Sequence, residues 1–328
     1  MKTTTKIISL TFLLLFITNS LSFARVTEKI EKNFVLTNEN LLSVENPSGD
    51  ITIETWKEKK IYLSATKVVE STETSDAMTM LSKISVGIDF GKESIAIHTK
   101  LPADESLWNK ILGSQKLLRH DSKSVYVNYL IKIPENFNIS LSSTSASITV
   151  SNLSGKSIID TVSGNITVTN LGQTLKLKTI TGTITGNAIS ASVDASTISG
   201  DINLTNVTNF VAIDSISGDI TLSTDGSISA KTISGDIQWT CLKNISNDAK
   251  LKSTSGNLTL YLPETTAANV AIETLTGSVK SELPIKQEFA LVVNSSFLGH
   301  DIEGKFGIGG KSLTLSTTSG NIIIYKNK

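Results

Sequence analysis

A chain of 328 residues in which 30 Lys and Arg balance 30 Asp and Glu has no net field to draw it to nucleic acid or an anionic membrane surface. Aromatic residues make up only 5%, and Ser, Thr, Asn and Ile abound, a mix that suits β-structure with polar outward faces and excludes a helical bundle built on Ala, Leu, Glu and Lys. A single cysteine, Cys241, excludes a disulfide scaffold.

The chain opens with a targeting pattern. Lys2 and Lys6 precede an apolar run over residues 7–17, broken only by Ser9 and Thr11, and Ser22-Phe23-Ala24 ends in small residues. This predicts an export signal over residues 1–24, cleaved after Ala24. The run is shorter than the roughly 20 residues of a membrane span. No second long apolar run follows, so no membrane span is expected once the signal is removed.

Residues 25–140 read as an N-terminal β section. Ile51 and Ile53 alternate with Thr52 and Glu54, and Ile61 and Leu63 repeat the alternation beyond a charged tip at residues 57–60, which predicts a hairpin. Residues 71–83 form a polar loop or a short helix. Residues 84–88 and 94–98 read as a second hairpin, with Gly91 in its turn. Residues 101–124 depart from strand character: Leu107, Trp108, Ile111 and Leu112 fall at helical spacing, and Lys116, Arg119, His120 and Lys123 make the stretch basic. It is an insertion on a regular scaffold. Strand pattern resumes at Val125 and ends at Pro134.

From residue 141 to 328 one phrase recurs. Ser199-Gly200-Asp201-Ile202, Ser217-Gly218-Asp219-Ile220 and Ser234-Gly235-Asp236-Ile237 are its fullest copies, with looser ones at Ser48-Gly49-Asp50-Ile51 and Ser319-Gly320-Asn321-Ile322. The glycines stand at Gly164, Gly182, Gly200, Gly218, Gly235, Gly256, Gly277 and Gly320, at intervals of 18, 18, 18, 17, 21, 21 and 43 residues. Units this short cannot bury a face alone, so they stack. The expected fold is all-β: a parallel β-solenoid, β-helix-like, with the N-terminal hairpin section able to cap one end. Ile166, Ile184, Ile202, Ile220, Ile237 and Leu258 form one interior column, and Val168, Leu204, Leu222, Trp239 and Leu260 another. Ile216 joins Ile220 in the interior. Each glycine turns a corner by adopting a positive φ, the neighbouring Asp or Asn holds the turn, and residues 322–325 make the last strand.

Two polar columns invite chemistry. After each glycine stand Asn165, Thr183, Asp201, Asp219, Asp236, Asn257, Ser278 and Asn321. Three stacked carboxylates, Asp201, Asp219 and Asp236, are the candidate metal ligands, since calcium prefers carboxylate oxygen. Yet each coil offers a single carboxylate and the position interchanges with Asn, Ser and Thr, so turn stabilisation is preferred and no metal or cofactor is assigned. Four before each glycine, Asp160, Lys178, Ser196, Asp214, Lys231, Lys252, Glu273 and Ser316 read as an outward salt-bridge ladder. No catalytic residue is assigned. None of the three histidines, His98, His120 and His300, lies near Cys241 in sequence, and Cys241 reads as a small interior residue.

These features carry a resemblance. Asn46-Pro47-Ser48-Gly49-Asp50-Ile51, then Ile131-Lys132-Ile133-Pro134, the recurring Ile-Ser-Gly-Asp-Ile, and the ending from Phe306-Gly307-Ile308-Gly309-Gly310 to Ser319-Gly320-Asn321-Ile322 resemble a bacterial family of β-strand-repeat proteins described as candidate adhesins, the domain of unknown function DUF4097. The resemblance implies an exported β-solenoid of the cell envelope, periplasmic or on the cell surface. It implies nothing for residues 101–124. The expected function is therefore a non-enzymatic adhesin or scaffold that binds an envelope protein or a glycan. Two alternatives stand beside it: a carbohydrate-active β-helix enzyme, which needs two carboxylates about one bond, and a regulatory protein docking a partner through residues 101–124.

Overall fold

The computed structural model describes residues 24–102, 124–225, 227–286 and 300–327. The expected export signal over residues 1–24, apart from Ala24, and all but the ends of the 101–124 insertion lie outside the described residues. The chain divides into two units, Met1–Thr149 and Val150–Lys328.

In the first unit the elements are β1 (Ala24–Val35), β2 (Leu41–Ser48), β3 (Ile51–Trp56), β4 (Lys60–Ser71), α1 (Thr74–Lys83), β5 (Ser85–Phe90), β6 (Ser94–Lys100), β7 (Ser124–Pro134) and β8 (Asn138–Ser145). Period-two alternation buries Leu42, Val44, Ile51, Ile53, Ile95, Ile97, Ile131 and Ile133. β5 and β6 form the expected antiparallel hairpin. The hairpin expected around residues 57–60 does not form. β7 lies between the two strands, parallel to β3 and antiparallel to β4, and β4 pairs on its other side with β1. The alternation that predicted a hairpin reports one buried face and cannot name the neighbour. α1 packs on β1 and β4 through Ala77 and Leu81, one turn apart. β2 runs parallel to both β6 and β8, so the Ser48-Gly49-Asp50 phrase already turns a solenoid-like corner between β2 and β3.

In the second unit the expected parallel β-solenoid is present. One sheet stacks Ile166–Leu171, Ile184–Ile189, Ile202–Val207, Ile220–Thr224, Ile237–Cys241 and Leu258–Pro263. The other stacks Ser157–Ser163, Leu175–Lys178, Val193–Thr197, Val211–Ser215, Ile228–Lys231 and Ala249–Lys252. The pairing is parallel, and the predicted column Ile166, Ile184, Ile202, Ile220, Ile237, Leu258 is the observed register. All six side chains are fully buried. In the second column Gly186 stands between Val168 and Leu204, and the room it leaves is taken by the side chains of Leu204 and Ile189.

Beyond Leu258 the stack leaves chain order. The strand Ile322–Asn327 pairs with Leu258–Pro263 on one side and with Val279–Ser281 on the other. In the second sheet Lys311–Ser319 lies between Ala249–Lys252 and Ala268–Thr276. The coil of Gly320 is thus inserted between those of Gly256 and Gly277, which accounts for the 43-residue interval. Residues 322–325 are the last strand in sequence and an internal one in space. The antiparallel strand His300–Phe306 borders Ala268–Thr276, and the three-residue strand Val279–Ser281 ends the other sheet.

Candidate functional site

The repeated corner is the place where the chain puts its recurring polar chemistry, and it is built by strict alternation. In Val211–Ser215, Val211, Ile213 and Ser215 are buried while Asp214 is exposed. Ile216 continues that phase and points outward, 46% exposed. This corrects the expectation that Ile216 fills the interior: its phase in the strand, not its hydropathy, decides its side.

The glycines do not act as expected either. Among the described residues the positive-φ glycines are Gly49, Gly307 and Gly309, and no corner glycine of the second unit is among them. What excludes a side chain is space. A Cβ on Gly218 would meet the carbonyl oxygen of Gly200, and the same holds for Gly182 over Gly164, Gly200 over Gly182, Gly235 over Gly218, Gly256 over Gly235, Gly320 over Gly256 and Gly277 over Gly320. Left-handed backbone occurs instead at another bend of the coil, at Asn152, Asn170, Ala188 and Asn206, with φ of 59°, 54°, 54° and 55°. Asparagine tolerates this region best among side-chain-bearing residues. Asn170 Nδ2 donates to Asn152 Oδ1 at 2.9 Å, tying neighbouring coils together.

The structure stacks Asp201, Asp219 and Asp236 in one exposed column, in successive coils. Asp201 Oδ1 accepts the backbone N–H of Asp219 at 3.0 Å, Asp219 Oδ1 that of Asp236 at 2.8 Å, and Asp236 Oδ1 that of Asn257 at 2.7 Å. Asn165 does the same for Thr183, Asn257 for Asn321 and Asn321 for Ser278, each at 2.9 Å. The column is a ladder of side-chain acceptors linking coil to coil, which explains why Asp and Asn interchange there: an amide oxygen accepts as a carboxylate does. Among the described residues no group of three His, Cys, Asp or Glu side chains is arranged to hold a metal.

Three residues before each glycine, a second column escapes sequence reading. Thr161, Thr179, Thr197, Ser215, Thr232, Ser253, Thr317 and Thr274 are all buried. Ser253 Oγ donates to the Gly235 carbonyl at 3.0 Å, Thr317 Oγ1 to Gly256 at 3.0 Å and Thr274 Oγ1 to Gly320 at 2.9 Å. The regular recurrence of a hydroxyl at this offset was the available signal. Of the outward charge ladder, Lys231 Nζ reaches Asp214 at 3.8 Å, with both side chains more than half exposed.

Cys241 is buried. Its thiol donates to the Lys243 carbonyl at 2.7 Å, and burial pushes its pKa up to about 11. His98 sits on β6 in the first unit with Nδ1 3.5 Å from Asp89 Oδ2. His300 begins the strand His300–Phe306, and His120 lies outside the described residues.

Beside these polar columns the corner carries an apolar one. Two residues before each glycine stand Val162, Ile180, Ile198, Ile216 and Ile233, on five successive coils. Val162 is 44% exposed, Ile198 45%, Ile216 46% and Ile233 51%, while Ile180 is half-buried. At about 4.8 Å per coil they form an aliphatic ridge about 20 Å long. Isolated exposed apolar side chains are ordinary; a contiguous row is a candidate interaction surface.

A family model described as Toastrack DUF4097 matches residues 130–325. No curated protein matches the chain. Among solved structures, a candidate adhesin from Bacteroides fragilis is 15% identical, covers 71% of this chain and 96% of its own, and gives a TM-score of 0.44. A candidate cell adhesion protein from Clostridium sporogenes is 13% identical over 91% of this chain and 100% of its own, with a TM-score of 0.22. A candidate lipid-binding protein from Parabacteroides distasonis is 12% identical over 92% and 97%, with a TM-score of 0.29.

Proposed function

The chain belongs to the Toastrack DUF4097 family, and from that premise we propose that it is a non-enzymatic repeat protein, exported to the bacterial cell envelope, that acts as an adhesin or scaffold by binding an envelope protein or a glycan. The observation that carries the reading is the aliphatic ridge from Val162 to Ile233, exposed on a frame whose stacked carboxylates Asp201, Asp219 and Asp236 are engaged in bonds between coils. A reaction centre needs polar groups free to meet a substrate. Here the Asp and Asn side chains after each glycine bond the neighbouring coil, and the ridge adds a row of exposed hydrocarbon beside the outward charges.

The test has two arms. N-terminal sequencing of the protein recovered from fractionated cells is expected to begin at Arg25, outside the cytoplasm; an intact N-terminus in the cytosol overturns export. Purified protein is then screened on a glycan array and against isolated envelope proteins, as wild type and as Ile198→Asp with Ile216→Asp. Binding by the wild type and its loss in a variant of unchanged circular dichroism supports the reading. No binding by the wild type, or equal binding by the variant, overturns it.

A further inference from the structure

Beside the aliphatic ridge runs the outward column four before each glycine. In register on the same five coils it reads Asp160, Lys178, Ser196, Asp214, Lys231. That order has a symmetry. A two-fold axis crossing the columns at the coil of Ser196 carries Asp160 onto Lys231 and Lys178 onto Asp214, and leaves Ser196 facing its own copy. The same operation lays Val162 on Ile233, Ile180 on Ile216 and Ile198 on Ile198. Both columns are therefore self-complementary, aliphatic on aliphatic and acid on base, in one antiparallel arrangement.

Other arrangements fail on charge. Sliding the partner by one coil in one direction sets Asp160 against Asp214; in the other it sets Lys178 against Lys231. Turning the second copy parallel with ridge on ridge swaps the flanks and sets Asp214 against Asp219 as often as Lys231 against Asp236, so charge gives no net gain. On the opposite flank the favoured axis sets Asp219 against Thr183 and Asp236 against Asn165, so Asp201 is the one carboxylate there that meets its own copy. The row Asp201, Asp219, Asp236 also opposes an anionic lipid surface. Resting on the reading of the ridge as the docking surface, we propose that its partner is a second copy of this chain, packed antiparallel as an isologous pair centred on Ile198. Five coils by two columns cover a few hundred Å² per copy, on the order of the smaller transient interfaces. The pair is weak in solution and strengthens where many copies are displayed on one surface, which makes it a device for joining like-coated surfaces.

The test is self-association of the full exported chain by sedimentation equilibrium from about 1 to 500 μM. The wild type is expected to shift from monomer to dimer over that range. Ile198→Asp is expected to weaken the dimer at least tenfold. Lys178→Asp alone sets Asp against Asp214 of the second copy and weakens it also, and Lys178→Asp combined with Asp214→Lys restores it. The charge variants alter exposed side chains, so they keep the test decisive if Ile198→Asp fails to fold. A wild type that stays monomeric throughout, or a double variant no tighter than the single one, overturns the proposal. A monomeric wild type whose ridge variants still lose an envelope ligand removes the second copy as the partner and leaves the docking reading standing; a ridge-dependent dimer with envelope binding unaltered by ridge variants does the reverse.

Discussion

Asp219 Oδ1 accepts the backbone N–H of Asp236, one coil further on, at 2.8 Å. The bond asks for an acceptor, not for a charge. Asp219→Asn is therefore expected to leave the urea midpoint nearly unchanged, whereas Asp219→Ala lowers stability by about 0.5–1 kcal/mol, since water replaces part of an exposed bond. Millimolar calcium should move the melting temperature of wild type and Asp219→Asn equally. A calcium-dependent rise that disappears in the Asn variant would show a cation held by the column.

Gly218 tests the crowding of the corner. Its missing Cβ faces the Gly200 carbonyl, which belongs to backbone and cannot swing away. Gly218→Ala must spread two coils whose strands Ile202–Val207 and Ile220–Thr224 are hydrogen-bonded. A loss of about 2–3 kcal/mol is expected by denaturant unfolding, the range for overpacked interiors. The customary gain from removing glycine freedom in the unfolded chain, about 0.4–1 kcal/mol, is too small to offset it.

The buried hydroxyl column separates two kinds of threonine. Thr317 Oγ1 donates to the Gly256 carbonyl, whereas Thr197 Oγ1 finds no partner among the described residues. Thr317→Val keeps the shape and leaves a carbonyl short of a donor, a loss of about 1–2 kcal/mol. Thr197→Val removes a buried hydroxyl that nothing satisfies and is expected to be neutral or stabilising. Paired urea titrations check the contrast, and equal losses at both sites would refute it.

Alkali is expected to unfold the protein through two buried acids. Burial pushes the Cys241 thiol up to about 11 from an ordinary 9.0, and the Tyr129 phenol up to about 12 from 10.0 despite its 2.6 Å bond with Thr99 Oγ1. Both groups are held neutral in the folded state, so between the ordinary and the raised values the unfolded chain binds fewer protons. The stability they contribute is whole below about pH 9 and drains away as the pH climbs toward 12. Melting temperature against pH should fall across that window. Thiol titration at pH 8 should be slow in the native protein and fast in urea.

Much of the interior was legible because the repeat aligns itself: once the Gly-Asp phrases are superposed, Ile202, Ile220 and Ile237 fall into register with no further information. The errors share one origin. Hydropathy alone places Ile216 inside, whereas the phase of Val211, Ile213 and Ser215 turns it out. A turn suggests a backbone role for the glycines, while the neighbour that excludes a Cβ, for Gly218 the carbonyl of Gly200, belongs to another coil. The hairpin at residues 57–60 and the place of Ile322–Asn327 failed for the same reason. Alternation specifies which face of a strand is buried, and adjacency in a parallel stack is settled by partners remote in sequence.

The inserted coil has a consequence for how the chain is made. A solenoid whose turns follow chain order can lengthen as it emerges, each new turn closing on the last. Here residues 258–281 arrive first, and the strand that must lie between Leu258–Pro263 and Val279–Ser281 is delivered only with Ile322–Asn327. Up to that moment two faces of the stack stand apart without their shared neighbour. Completion therefore waits on residues 322–327, and a product cut short before residue 322 lacks the strand that Leu258–Pro263 and Val279–Ser281 share.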